Sequence, residues 1–178
     1  VDPAAPLASP TLPPTSTPDP WAALGAPARI TIPDIGVDAP LEQLALRGDQ
    51  KIAVPEEWDH AGWYETGFRP GEPGSAVVSG HFDDDKGAPA VFYELAKVQV
   101  GAEIIVAYPD GERYKFRVDR TDLVDATSVD REVYDSIFGP AGEARLSLVT
   151  CDGAWDADRG GYDKRFIVHA VLDADAIE

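Results

Sequence analysis

The sequence predicts an all-β domain, a closed barrel or a sandwich, on three observations. Short runs rich in Val, Ile, Thr, Tyr and Phe recur from Arg29 to Leu172. Gly, Pro and Asp clusters separate them, the punctuation expected between strands. Only two segments carry a helical pattern, and both are short. Many short strands joined by turns favour a barrel or sandwich over layered α/β architectures.

The elements follow in order. The stretch "RITIPDIGVDAPLEQL" gives short β-prone runs broken by Pro33, Gly36 and Pro40. "GSAVVSGH" reads as a buried strand between glycines, and "EEWDHAGWYE" before it reads as polar and turn-like. "APAVFYELAKV" carries the first helical pattern. "AEIIVAYPDGERYKFRVDRTDLV" is a hairpin around Pro109-Asp110-Gly111, with Tyr114, Phe116 and Val118 on one face of the returning strand. "DREVYDSIFG" is the second helix, with Asp130 as N-cap and Gly139 as C-cap. "EARLSLVT" and "KRFIVHAVLDA" are two last strands, separated by a polar, glycine-rich loop. No period of 20–50 residues repeats.

Before Arg29 the texture differs. Eight of the 16 prolines fall in the first 27 residues, with almost no large apolar side chain before Trp21. Such a segment buries no core and adopts extended, semi-rigid conformations. Residues 1–27 are therefore expected to be a disordered spacer, and residues 28–178 the folded domain. The chain starts at Val1 and contains no Met, as expected of a processed or trimmed piece of a longer protein.

Charge excludes some functions. With 32 acidic and 15 basic residues the net charge is −17, the wrong sign for a phosphate backbone or an anionic lipid surface. The acidic runs "DDDKG" and "DGAWDADRGG" lack EF-hand spacing, so they are expected to be solvated loops, with no metal site.

The single cysteine, Cys151, closes the strand "SLVTC" before Asp152 and Gly153. It is either a buried small hydrophobe or a nucleophile, which needs a base or cation nearby. Arg165 begins the next strand fourteen positions on. If the two strands pair antiparallel, the end of one faces the start of the other, and Cys151 meets Arg165. Three histidines compete as partner: His60 in a polar turn, His169 inside a strand, and His81 where a strand opens into a loop. The last is placed as Cys151 is, and reactive groups favour loop ends on rigid scaffolds.

These residues carry a resemblance. "LSLVTCDG" is similar to the cysteine motif of the sortases, cysteine transpeptidases of Gram-positive cell surfaces, with Ser147 where Thr is usual. "VVSGHFD" resembles their histidine motif, and Arg165 in "YDKRFIVHAVL" stands at the place of their arginine. "IPDIGVDAPLE", "AGWYETGFRPGEPGSAVVSGH" and "GAPAVFYEL" resemble the actinobacterial class F branch. The resemblance runs from about Arg29 to Leu172. It implies a closed eight-stranded β-barrel and cleavage of an LPxTG-like signal between Thr and Gly through a thioacyl-enzyme. Cys151 is then the nucleophile, His81 the proton carrier and Arg165 the donor to substrate or oxyanion. Thr150 orients the substrate through its hydroxyl or serves as plain strand. The implied partners are sorting-signal peptides and a cell-wall amine. No cofactor is implied, and a monomer is expected at the outer face of the membrane, anchored by a preceding segment. The competing readings are a peptidase releasing the acyl group to water, and a non-enzymatic surface module with an inert cysteine.

Overall fold

The computed structural model describes residues 20–48, 52–128 and 131–177. Eight strands close on themselves: β1 (Arg29–Ile32), β2 (Val37–Leu44), β3 (Ala61–Tyr64), β4 (Gly74–Gly80), β5 (Glu103–Ala107), β6 (Arg113–Asp125), β7 (Ala144–Asp156) and β8 (Gly161–Ile177). The order around the barrel is β1-β2-β3-β4-β7-β8-β6-β5, and β5 pairs back on β1. Closure, expected from the family resemblance, removes every sheet edge. Two neighbours, β2 with β3 and β4 with β7, run parallel.

Strand alternation sorts the side chains. On β4, Ala76 and Val78 point into the barrel core, while Val77 points outward. Leu146 and Leu148 of β7 and Val168 of β8 join the same interior, with Phe92 and Phe116 fully buried among them. Each such burial stabilises by about 1.5–3 kcal/mol. The helix α1 (Arg131–Phe138) covers the outer face, where Ile137 meets Val77 and Ile167.

The 103–125 hairpin is as expected: Gly111 N–H donates to Tyr108 O, and Tyr114, Phe116 and Val118 are buried on one face. The second helix also forms, and Gly139 N–H donates to Asp135 O at its end. Asp130, its expected cap, lies outside the described residues, as do residues 1–19 of the expected spacer. From Trp21 on, the chain already touches the barrel: Trp21, Leu24 and Ala26 pack against the core.

Three expectations are corrected. Residues 88–98 form turns and a short 3-10 helix (Leu95–Lys97) instead of an α-helix. Ala90 N–H and Phe92 N–H donate to Phe82 O and His81 O, drawing the backbone onto the loop after β4 while Phe92 and Leu95 plug the core. The turn-like stretch before β4 holds β3. The polar loop between the last strands is mostly β-ribbon: β7 and β8 run on to Asp156 and from Gly161, with a bulge between Asp152 and Trp155. Gly153 takes φ 86° there. Asp152 and Asp163 carboxylates accept the N–H groups of Gly153 and Ala154 at 2.6 and 2.8 Å. Strand-breaking residues are absorbed by the bulge rather than ending the strand.

Candidate active site

Three strands deliver the nominated residues to one place. Antiparallel pairing of β7 with β8 sets Cys151 directly opposite Arg165. Arg165 is the fifth residue of β8 rather than its first, because the ribbon extends beyond it. Parallel pairing of β4 with β7 reaches Ser79 opposite Val149. Two residues further on lie His81, just past the end of β4, and Cys151, within β7. Cys151, His81, Arg165 and Thr150 border one cavity of about 150 Å³, with Val54, Pro55 and Val149 among its walls.

His81 is held by its ring. Nε2 lies 2.9 Å from the Pro55 carbonyl oxygen, which only accepts, so Nε2 carries the proton. Nδ1 is thereby the nitrogen available to take or give one. The Trp58 ring packs edgewise on the imidazole, centroids 4.5 Å apart. The other two histidines are engaged elsewhere. His60 Nδ1 is 2.9 Å from Glu42 Oε1. His169 is fully buried, with Nδ1 3.3 Å from Ser147 Oγ and Nε2 3.1 Å from Asp122 Oδ2. Burial lowers its pKa, so the ring stays neutral.

Burial pushes the Cys151 thiol up; Arg165 pulls it down and Asp83 pushes it up again. The resting residue is a thiol rather than a thiolate. Arg165 Nη1 donates to the carbonyls of Tyr162 and Lys164, at 3.0 and 2.7 Å. The nearby Asp163 carboxylate accepts instead the Ala154 N–H at 2.8 Å. Thr150 is buried, and its hydroxyl donates to Gly80 O at 2.9 Å. Its proton is spent on the peptide that leads into His81, a strand-to-strand tie.

A second cavity of about 230 Å³ adjoins the first, sharing Val54, Ser79, Val149 and Arg165. Its other walls include Ile52, Tyr64, Val77 and Phe138, so it is an apolar slot leading to the thiol. Ser79 Oγ is buried without a hydrogen-bond partner, alone in this among the described residues.

The sequence did not single out Pro55, Trp58, Asp83 or Tyr162. Tyr162 OH donates to the Asp83 carboxylate, tying the loop after His81 to β8, and this bond pushes the phenol up to about 12. None of the four belongs to a local motif that could have marked it. Among the described residues the Asp84 carboxylate of the "DDDKG" run accepts the N–H groups of Lys86 and Ala88, both at 2.8 Å, as a turn cap.

Comparison with known proteins bears on this arrangement. A family model described as the sortase domain matches residues 30–173. Among solved structures, sortase A of Listeria monocytogenes is 20% identical, with 82% of this chain and 86% of that chain covered at a TM-score of 0.60. A sortase D5 transpeptidase of Clostridium perfringens is 23% identical, with 84% and 79% covered and a TM-score of 0.60. Sortase C1 of Streptococcus agalactiae is 22% identical, with 84% and 68% covered and a TM-score of 0.63. No curated protein sequence matches. These structures share the fold, and the family model spans nearly the whole domain: the chain belongs to the sortase family of cysteine transpeptidases.

Proposed function

We propose that this protein cleaves an LPxTG-like sorting signal between Thr and Gly and transfers the acyl group to a cell-surface amine. The observation that carries the reading is the meeting of Cys151, His81 and Arg165, from three strands, at one cavity that opens into an apolar slot. The slot suits the aliphatic start of such a peptide, and the Thr–Gly bond then falls at Cys151. Similarity of the quoted blocks to class F supports placement in that branch. The site of action is the outer face of a Gram-positive membrane, with a cell-wall precursor as amine donor.

The steps follow from the groups present. Cys151 Sγ gives its proton to His81 Nδ1 and attacks the Thr carbonyl carbon. The C–S bond forms as the C–N bond breaks, and His81 returns a proton to the leaving glycine amine. The incoming amine then attacks the thioester, yields a proton to His81, and the sulfur leaves. Arg165 has five N–H donors. Those on Nη1 are anchored to main-chain carbonyls, and Nε and Nη2 serve the oxyanion.

Incubation with a small set of LPxTG-like peptides tests this, with mass spectrometry of the protein. An adduct on Cys151, passed to an added amine, is the expected result. An adduct released only to water means a peptidase. A thiol that takes up no peptide and resists alkylation means a non-enzymatic module.

Arg165 separates directed bonding from charge. Arg165→Lys keeps the charge and loses the planar fork. Both Arg165→Lys and Arg165→Ala are expected to slow single-turnover acylation by about 10²–10³, with little change in melting. Near-normal acylation by the Lys variant would reduce Arg165 to an electrostatic role; near-normal acylation by the Ala variant would remove it from the site.

A further inference from the structure

We infer that Glu42 is a positioning residue that sets the tautomer of His81 through a single peptide group, that between Pro55 and Glu56. The inference rests on the reading of His81 as proton carrier.

Residues 54–60 link an isolated bridge at Ile52 to β3 and belong to no strand. Such a link is ordinarily among the mobile parts of a fold. Here one carboxylate on β2 holds it. Glu42 Oε2 accepts the Glu56 N–H at 2.8 Å, and Oε1 lies 3.3 Å from the Glu57 nitrogen and 2.9 Å from His60 Nδ1. On the far side of the link Val91 N–H donates to Trp58 O at 2.9 Å. Burial raises the Glu42 carboxyl, but the Glu56 and Glu57 N–H groups and His60 outweigh it, and its pKa lies below the ordinary value. It is a carboxylate at neutral pH.

The geometry has a specific consequence. The Glu56 N–H that Glu42 accepts and the Pro55 C=O that His81 donates to are opposite ends of one peptide bond. That bond is planar and trans, as the described peptide bonds all are. Fixing the N–H therefore aims the carbonyl. Proline locks φ at residue 55, so one torsion fewer separates the plane from the preceding chain. The negative charge at the N–H end polarises the group and makes the Pro55 oxygen a stronger acceptor. The sequence is carboxylate, peptide, imidazole: Glu42 acts on His81 as an orienting carboxylate does, but at one peptide's remove. Its effect is to keep the proton on Nε2 and leave Nδ1 for chemistry. A clamp built only to close the loop needs no hydrogen bond from the ring to that carbonyl.

The test uses the full chain, labelled with ¹⁵N, and reads the His81 ring by long-range ¹H–¹⁵N correlation. Wild type is expected to show the Nε2–H tautomer at neutral pH. Glu42→Gln keeps the shape but loses the charge, and Glu42→Ala loses the acceptor. Both are expected to populate the Nδ1–H form and to lower kcat roughly tenfold, the worth of one hydrogen bond to a charged group, with KM little changed. His60→Ala removes a neighbour of Glu42 but leaves the Glu56 bond, and is expected to change neither. A wild-type Nδ1–H tautomer overturns the inference. So does an unchanged tautomer in both Glu42 variants, including one accompanied by loss of melting temperature and activity together. If Glu42→Ala does not fold, the wild type and Glu42→Gln decide. The ring measurement needs no substrate, so a protein that cleaves no peptide removes the proposed function and leaves this question answerable.

Discussion

Cys151→Ala is expected to abolish both adduct formation and peptide cleavage, and to melt within a few degrees of wild type. The chemical half follows from identity: an alanine has no electron pair to give, and no second cysteine exists in the chain. The structural half follows from position. Cys151 is only half-buried on the outer face of β7, beside a cavity. Loss of one sulfur there is expected to cost no more than about 1 kcal/mol, against about 2–5 for a large-to-small change in a packed core. Residual cleavage by this variant, measured on an LPxTG peptide, would sink the mechanism. The same thiol carries a pH signature. Burial favours its neutral form, so its titration lies above the ordinary thiol value and its thiolate fraction at neutral pH is below that of free cysteine. Alkylation by iodoacetamide is thus expected to be slow at neutral pH and to climb in the alkaline range. Because Arg165 pulls the thiol down and Asp83 pushes it up, Arg165→Ala is expected to move the midpoint further up and Asp83→Asn to move it down. A midpoint below that of free cysteine would mean that Cys151 and His81 rest as an ion pair.

His81→Ala is expected to lower turnover by about 10²–10⁴ through lost proton transfer alone. Lost positioning adds to that, because the ring also meets Trp58 and Pro55 at the cavity wall. The fold is expected to survive, since His81 is half-buried and follows the end of β4. The other two histidines are the controls, and the structure gives them different outcomes. His60→Ala leaves turnover near normal. His169→Ala leaves a hole at a buried position and takes one partner each from Ser147, which keeps Ser75, and from Asp122, which keeps Arg120. It is expected to cost about 1–3 kcal/mol of stability, with turnover of the folded fraction preserved. Turnover and melting curves of the three variants, measured side by side, decide the assignment. If His60→Ala or His169→Ala is the worse lesion in turnover, the wrong ring has been given the proton.

Much of the fold was legible because its causes are local. The period-two burial of Tyr114, Phe116 and Val118, the Pro109–Gly111 turn and the stop at Gly139 are written in consecutive residues. The helical pattern of residues 88–98 was equally visible and was overridden. Its N–H groups found carbonyls at His81 and Phe82, and its large side chains found the barrel core. The strand Ala61–Tyr64 escaped notice because four residues carry too little pattern, and its parallel pairing with β2 is made across an intervening loop. Gly153 read as a terminator because the bulge that accommodates it exists only once β8 lies alongside.

The site divides in the same way. The residue types at strand ends, Cys151, His81 and Arg165, and the likeness of their motifs to one family, were determined by the sequence by itself. So were the all-β class and the acidic surface that excludes nucleic acid. Only the tertiary structure decided that the three side chains share one cavity and that an apolar slot leads into it. It alone disclosed that a carboxylate on β2 and a histidine after β4 meet across the Pro55–Glu56 peptide. The physical reason is range. Backbone preference and burial period act between residues a few positions apart, so they are readable in order along the chain. Hydrogen bonds such as these join positions 14 and 26 residues apart, and they come into being only when closure of the barrel fixes both ends in space.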